Sequence, residues 1–151
     1  MNEKEAAKLA KAVAAECIAV RVRLLNRVIT NLYDRALQPL GIKVNQATML
    51  VMLLLSGQAG PGDIGRVLLM EKSTVSRNID RMRKKGWIGV AGKDDGLSQV
   101  ITVTPKGRKL LAAVHVEWMK AQKKASHLLG DEGVSAIKKL HDTVRQTRKA
   151  G

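Results

Sequence analysis

No other stretch of the chain limits its possible folds as strongly as residues 71–87, EKSTVSRNIDRMRKKGW. Val75, Ile79 and Met82 recur at the spacing of one helical face, so the stretch is predicted to be a short amphipathic helix. Its other face carries hydroxyl, amide and guanidinium groups, which can contact base edges in a DNA major groove. An ordinary surface helix with a solvated basic face would show the same pattern, so the flanking sequence must decide between the two.

Two further helices are predicted before this stretch. Residues 46–56 contain MLVMLLL, apolar on all sides as in a central buried helix, with Asn45 as the expected N-cap. A shorter helix at 61–69 begins with a proline, which suits a first helical position. A tight turn then leads to residues 71–87, with an expected cap at 71–73. Two short helices joined by a tight turn, the second with a polar face, are typical of a helix-turn-helix.

A β-hairpin is predicted directly after the polar-faced helix. Gly86 ends the helix, residues 87–90 form a short apolar strand, and 91–96 are rich in Gly and Asp. The alternating, β-branched run at 98–104 is the expected return strand. A surface hairpin without function is the alternative, but a hairpin in this order favours the wing of a winged helix.

The two ends of the chain are predicted to be helical and unusually apolar. Residues 3–38 form one long helical pattern that ends at Pro39 and Gly41, and 105–129 form another that Gly130 breaks. Thr104 and Asp131 are the expected caps of the last two helices. These helices carry more apolar surface than one small core needs, which indicates a partner chain.

The formal charge is +14 over 151 residues, and it is spread unevenly. Residues 42–71 are neutral, whereas 1–41 carry +3, 72–105 carry +4 and 106–151 carry +7. Such a basic protein is expected to bind a polyanion, either a nucleic acid or an anionic membrane surface. The charged N-terminus does not resemble a signal peptide, and the longest apolar run, 49–55, is too short to span a membrane. The expected location is therefore cytoplasmic.

The combined pattern resembles the MarR family of winged helix-turn-helix transcriptional regulators. The resemblance covers nearly the whole chain and is carried by four segments: YDRALQPLGI at 33–42, IGRVLLMEKSTVSRNIDRMRKKGWI at 64–88, KDD at 93–95, and ITVTPKG at 101–107. It implies a mainly α (α+β) fold in one compact domain. Residues 42–105 would form the winged helix-turn-helix DNA-binding region, and residues 1–41 and 106–151 a helical dimerisation region.

The resemblance also implies a function. Members of the family are homodimers that bind pseudo-palindromic operators in double-stranded DNA, most often as repressors. Small phenolic or aromatic acids commonly release them by binding between the dimer helices and the winged domain. An anionic ligand would suit this basic chain. The family is not enzymatic, and neither a cofactor nor a metal is expected.

The candidate DNA contacts follow from the family pattern and from side-chain chemistry. Arg77 is expected to bind guanine with two hydrogen bonds. Short polar side chains would contact both bases and phosphates, and the remaining cations would bind phosphates. The complete predicted set is Lys72, Ser73, Thr74, Ser76, Arg77, Asn78, Arg81, Lys84, Lys85 and Lys93.

The chain departs from the family in two places. Asp95 matches the acidic residue of the wing tip, but Gly96 and Leu97 stand where the family has a minor-groove arginine. Lys93 is the only cation there, so the helix at 71–87 is expected to carry more of the DNA affinity than usual. Gly65 replaces the usual alanine and is expected to loosen its helix by ~1 kcal/mol.

Two alternative functions remain open. Cys17 could sense peroxides, as a first-helix cysteine does in one subgroup of the family, although it lies about two residues earlier and has no second cysteine to resolve an oxidised form. A buried, unreactive thiol is the commoner state. A non-specific basic protein that coats DNA or membranes is the other alternative. His115, His127 and His141 are too scattered for a metal motif, and no catalytic motif is evident.

Overall fold

The computed structural model describes residues 1–92 and 99–150, the last three of these by their backbone alone. Within these residues, six helices, the last of them broken at Gly130, and one antiparallel pair of strands follow each other. They are α1 (Glu3–Glu16), α2 (Ile18–Leu37), a 3-10 turn (Gln38–Leu40), α3 (Val44–Ser56), α4 (Pro61–Leu68), α5 (Lys72–Lys84), β1 (Ile88–Ala91), β2 (Val100–Val103) and α6 (Pro105–Ala150). The predicted mainly α, winged helix-turn-helix architecture is confirmed.

The core lies in the middle of the chain and is built around α3. Met49, Leu50 and Leu53 of α3 are fully buried. They pack with apolar residues from the 3-10 turn, α4, α5, the hairpin and the start of α6. The prediction that α3 is buried on all sides is wrong, because Val51 and Leu55 are exposed, Leu55 to 85%. The apolar residues of α3 therefore lie on two faces of the helix, and only one of these faces contacts the core of this chain.

The predicted hairpin is confirmed as an antiparallel pair. β1 and β2 pair from Ile88 with Val103 to Ala91 with Val100. Ala59 extends the sheet, since it exchanges two backbone hydrogen bonds with Ile101 at 3.2 and 3.0 Å. This bridge ties the wing to the chain just before α4. The predicted wing tip, with Lys93, Asp95, Gly96 and Leu97, lies outside the described residues.

The prediction of one continuous helix over residues 3–38 is wrong. The helix is interrupted at Cys17, whose ψ of 109° is extended, and α2 begins at Ile18. The Cys17 amide still donates to the Val13 carbonyl, and the Arg21 guanidinium donates to the Ala15 carbonyl. These bonds satisfy carbonyl groups that the end of α1 would otherwise leave unpaired. No glycine or proline marks the break, so composition gave no sign of it.

The cap of α3 also differs from the prediction. Asn45 lies inside α3, whereas the carboxylate of Asp34 in α2 accepts a hydrogen bond from the Val44 amide at 2.8 Å. The neighbouring Tyr33 hydroxyl bonds to Gln122 in α6. Burial raises the pKa of Tyr33 above its ordinary value, so the phenol keeps its proton. Adjacent residues of α2 thus hold α3 on one side and α6 on the other.

The start of α6 fits tightly against the hairpin. The predicted cap is confirmed, because the Thr104 hydroxyl accepts from the Gly107 amide at 3.0 Å. It also donates at 2.7 Å to the carbonyl of Gly86, which ends α5 with a φ of 74°. A Cβ on Gly107 would lie 2.1 Å from the Trp87 carbonyl oxygen. Only glycine therefore fits where α6 crosses the strand. Further along, Gly130 (φ 68°, ψ 168°) breaks α6 as predicted.

The terminal helices contrast with this core. No residue of α1 is buried, and Leu37 is the only buried residue of α2. Large exposed apolar side chains follow these helices and the second half of α6, among them Val22, Leu24, Leu128 and Leu140 at 57–64% exposure. Within the part of the chain that the structure describes, no single helix qualifies as a membrane span, and only the bent pair Ile18–Leu40 and Val44–Ser56 does so by length and composition.

Candidate nucleic-acid interface

The turn between α4 and α5 holds the two helices close together. Leu69 ends α4 in the left-handed region (φ 55°), and the Met70 amide donates to the Gly65 carbonyl at 3.0 Å. A Cβ on Gly65 would lie only 3.1 Å from the Met70 carbonyl oxygen. Gly65 therefore does more than loosen α4, as the sequence suggested: it lets the turn approach the helix closely.

α5 is fixed by its apolar face, as predicted. Val75, Ile79 and Met82 are 0–5% exposed and belong to the core. The predicted side-chain cap is wrong: Glu71 is the N-cap residue, but its carboxylate makes no cap hydrogen bond. Its carbonyl accepts from the Thr74 and Val75 amides. The N-terminus of α5 is thus left without a side-chain cap, which suits an anion.

The outward face of α5 presents the candidate base contacts. Ser73, Ser76 and Arg77 are exposed, whereas Thr74 and Asn78 are half-buried. Arg77 folds back along the helix, where its Nε donates to the Ser73 carbonyl at 3.2 Å and its Nη2 to the Thr74 hydroxyl at 3.4 Å. The guanidinium therefore lies over the first turns of α5. The Asn78 amide donates to the Thr74 carbonyl at 3.0 Å, so its nitrogen is already engaged within the helix.

The predicted phosphate contacts separate into two groups on the flanks of α5. Lys72, together with Ser76, lines the groove between α4, α5 and the hairpin. Arg81, Lys84 and Lys85 line a different cavity, which also involves Lys43. Lys93 lies outside the described residues. Asp80, which the sequence prediction did not consider, lines the same groove as Lys72 and pairs with Arg83 at 3.5 Å.

The cavity beside the end of α5 is a cationic notch of about 530 Å³. The notch is lined by Gly41, Lys43, Gln46, Arg81, Lys84, Lys85 and Trp87. Lys106 of α6 also approaches, because its side chain lies against Gly86 at the end of α5. Sequence reasoning missed Lys43 and Gln46. A lysine before a helix gives no signal of its own, and only tertiary packing brings it to α5.

A second cavity, of about 680 Å³, lies between α2, α3 and α6. Its walls are mostly apolar, with Leu37, Val51 and Leu111 among them, and Arg108 supplies a cation. His115 and Trp118 of α6 stack in its wall with ring centroids 5.8 Å apart. A cavity of this volume, with apolar walls and a few polar groups, is typical of small-molecule pockets. This cavity adjoins both the terminal helices and the winged region.

The other candidate residues do not form a site. Cys17 is a partly exposed free thiol in the break between α1 and α2, and redox sensing through it stays a hypothesis. Among the described residues, no cluster of three or more His, Cys, Asp or Glu side chains could hold a metal ion.

Comparison with known proteins points the same way as the geometry. The sequence profile of the MarR family matches residues 40–96. The HTH-type transcriptional regulators YwoH and YdgG of Bacillus subtilis are each 25% identical to this chain. The YwoH match spans 76% of this chain and 83% of the relative, and the YdgG match 73% and 74%.

Solved structures show the same fold. The transcriptional regulator MosR of M. tuberculosis in complex with DNA superimposes with a TM-score of 0.74 at 26% identity, over 89% of this chain and 98% of that one. A mutant of MarR from E. coli complexed with operator DNA gives a TM-score of 0.75 at 19% identity, over 87% and 96%. The chain is therefore similar in fold to the MarR family of winged helix-turn-helix transcriptional regulators, and the family profile matches its residues 40–96.

Proposed function

We propose that the protein is a homodimeric, sequence-specific regulator that binds double-stranded DNA, acts as a repressor, and is released by a small anionic or aromatic ligand. The observation that carries the proposal is α5. Its apolar face is locked in the core, and its polar face and uncapped N-terminus point outward. A helix held in this way can enter a major groove without rearrangement of the core.

Different side chains of α5 are assigned different tasks. Arg77 lies over the N-terminal turns, the part of a recognition helix that contacts base edges. Its guanidinium can exchange two weak intrahelical contacts for a bidentate bond to guanine, worth roughly 1–3 kcal/mol of discrimination. Lys84 and Lys85 lie about two turns further along and are exposed. They are placed to neutralise phosphates, which adds affinity for any sequence.

Paired substitutions on α5 test this division. Arg77→Ala should reduce operator affinity by roughly 5- to 150-fold, as expected for ~1–3 kcal/mol, and leave binding to random DNA nearly unchanged. Lys85→Ala should weaken binding to both DNAs alike and lower the salt slope by about 1. The operator is first obtained by selection from a random duplex library, and affinities are then measured against salt concentration. Equal losses of specific and non-specific binding in both variants would refute the assignment.

The homodimer is supported by the surface of the chain. The exposed area is 11222 Å², whereas a compact monomer of this length is expected to expose about 7,500 Å². The excess is roughly 3,700 Å² per chain, or about 7,400 Å² for a pair, and obligate homodimers bury about 2,000–5,000 Å² or more of total area, so a large interface could be formed from it. The exposed apolar side chains are concentrated in α1, α2 and the second half of α6. A second copy packing along these helices would cover them and place two α5 helices on one operator.

Ligand release is supported by the cavity between α2, α3 and α6. The cavity adjoins Leu37 at the end of α2 and Val44 at the start of α3, where the terminal helices meet the winged region. Arg108 lines it and is exposed, and its Nη1 donates to the Val103 carbonyl at 2.9 Å. The remaining donors of this guanidinium can bind a carboxylate. A ligand that wedges the two regions apart would change the spacing of the α5 helices.

Benzoate is a suitable test ligand. Its binding should quench the fluorescence of Trp118 in the cavity wall and lower operator affinity over the same concentration range. Trp87 lies outside this cavity, so Trp118→Phe should abolish the quenching. Arg108→Ala should weaken benzoate binding about tenfold or more, as expected for the loss of a charge-assisted hydrogen bond of 1.5–3 kcal/mol. Quenching that persists in both variants would place the ligand elsewhere.

The redox alternative is tested separately. If peroxide releases the wild-type protein from DNA and Cys17→Ser is released equally, Cys17 is not the sensor.

A further inference from the structure

We propose that the cationic notch between α3 and α5 is a phosphate-binding site, with Lys43 and Gln46 as ligands that act together with Lys84 and Lys85. The proposal deepens the proposed DNA binding and rests on it in one respect: the phosphate is expected to be one of the DNA backbone. The same chemistry would also accept a free phosphate group, so the test separates the two sources.

The charge of the notch is the first argument. Lys43 is the N-cap residue of α3, Arg81 and Lys84 lie in the last turn of α5, and Lys85 is its C-cap residue. Lys106, the second residue of α6, approaches the same end of α5. These cations come from three elements that are distant in sequence, and among the described residues no acidic side chain lines the notch. Like charges gathered without a counter-charge favour an anion.

The floor of the notch is the second and independent argument. Gln46 is 6% exposed and is the only polar side chain counted as buried among the described residues. Its Oε1 accepts from the Lys43 amide at 3.1 Å. Because an amide N–H can only donate, this bond fixes which way the Gln46 side chain is turned and directs its Nε2 away from the backbone.

The Nε2 of Gln46 is available to a ligand. In the described part of the chain, it donates to no side chain or carbonyl. Every fully enclosed side-chain nitrogen or oxygen there has a hydrogen-bond partner, so Nε2 is not fully enclosed. Since Gln46 lines the notch, its NH₂ group reaches solvent through it. A donor that has no protein partner and opens into a notch lined by cations suits a phosphate oxygen.

The position of the notch fits a phosphate at the edge of the groove that α5 enters. Lys84 lies two turns along the helix from Arg77, which corresponds to ~10 Å. The major groove is about 12 Å wide, so phosphates border it within that distance of a guanidinium on its floor. The notch would therefore fix the depth and angle of α5 without contacting a base.

Two substitutions and one control test the site on operator DNA. Lys43→Ala should lower the salt slope by about 0.9 and weaken operator and random DNA alike, by roughly eightfold at 0.1 M salt, as expected for one phosphate contact. Gln46→Glu keeps an oxygen for the Lys43 amide but replaces the NH₂ donor with a carboxylate. It should therefore reduce affinity at least as much. Lys139→Ala removes the same charge from an exposed site near the end of α6 and should leave the slope unchanged.

A titration with inorganic phosphate, at constant ionic strength in chloride, identifies the source of the phosphate. The side-chain amide resonances of Gln46 are followed by NMR in the wild type and in Lys43→Ala. A wild-type shift that Lys43→Ala abolishes supports the site for free phosphate groups. Altered DNA salt slopes without such a shift support a backbone phosphate alone.

Failure of the proposal is distinct from failure of the proposed function. If the wild type binds DNA, but Lys43→Ala and Gln46→Glu behave as Lys139→Ala does and phosphate leaves Gln46 unmoved, the notch is not a phosphate site. If the wild type binds no DNA, the proposed function fails. The phosphate titration alone then tests the notch. If the Gln46 amide resonances do not shift, the proposal of a phosphate site is overturned.

Discussion

The winged region and the terminal helices of this chain differ in how far their apolar side chains are buried. Between Leu37 and Val114, apolar residues from α3, α4, α5 and both strands bury one another in a continuous core. In α1, α2 and the second half of α6, side chains of the same type remain exposed, such as Ile18 at 75% and Leu140 at 64%. One region buries its apolar side chains within a single chain, and the other leaves them exposed.

This difference assigns the two tasks of the proposed regulator to different parts of the chain. The winged region has to hold α5 at a fixed angle, so it needs a core that does not depend on the partner. In the proposed dimer, the terminal helices would set the distance between two α5 helices, and the second copy would cover their exposed apolar side chains. Substitutions in the two regions should therefore have different effects. Those in the winged region should reduce folding stability, and those in the terminal helices should reduce association.

The largest effect is expected where α6 starts against the hairpin. Gly107→Ala places a Cβ 2.1 Å from the Trp87 carbonyl oxygen and 2.8 Å from a Val103 methyl group. The backbone must move, and the free energy of unfolding should fall by about 3 kcal/mol or more. Urea denaturation measures it. Gly62→Ala is the matched control, since its Cβ would meet nothing within 4 Å. A loss below ~1 kcal/mol in Gly107→Ala would show that the winged region is less rigid than described.

A somewhat smaller effect is expected on association. Val22 and Leu25 lie on one exposed face of α2, and Val22→Glu with Leu25→Glu would bring two carboxylates into the proposed dimer interface. Burying unpaired carboxylates costs several kcal/mol, so the dimer dissociation constant should rise by at least about 100-fold. Sedimentation equilibrium measures the association, and circular dichroism should show the winged region still folded.

The control for that prediction lies in the winged region. Leu55→Glu changes the most exposed leucine of α3 and should leave the dimer intact. If Leu55→Glu dissociates the protein and the α2 variant does not, the interface has been assigned to the wrong region.

The smallest effect concerns the contact by which α2 caps α3. Asp34→Ala removes the acceptor of the Val44 amide and should lower the free energy of unfolding by about 1 kcal/mol. Asn45→Ala, at the residue that the sequence suggested as the cap, should change it by less than ~0.5 kcal/mol. Thermal denaturation of both variants decides, and the reverse order would restore Asn45 as the cap.

The sequence was sufficient where a structural pattern is local. The periodicity of Val75, Ile79 and Met82 correctly predicted α5, and alternation with a Gly-rich turn predicted the hairpin. It was insufficient where distant segments meet. The Asp34 carboxylate reaches α3 from ten residues away, and Lys43 reaches α5 from the other side of the helix-turn-helix. The break at Cys17 has no local signal at all.

The same limit applies to the site itself. Side-chain chemistry was enough to select the cations of α5, but it could not show that they divide between two flanks or that a buried amide lies beside one of them. Gln46 looked like a neutral helical residue in sequence, and only its burial next to Lys43 makes it a candidate ligand.

The central claim, that a dimer presents two α5 helices to one operator, is tested most directly by a hydroxyl-radical footprint of the wild-type protein on a selected duplex. Two protected half-sites, related by a pseudo-palindrome and centred about one helical turn or a multiple of it apart, are predicted. A single protected half-site would contradict the dimer, and uniform protection along the duplex would contradict sequence-specific binding by α5.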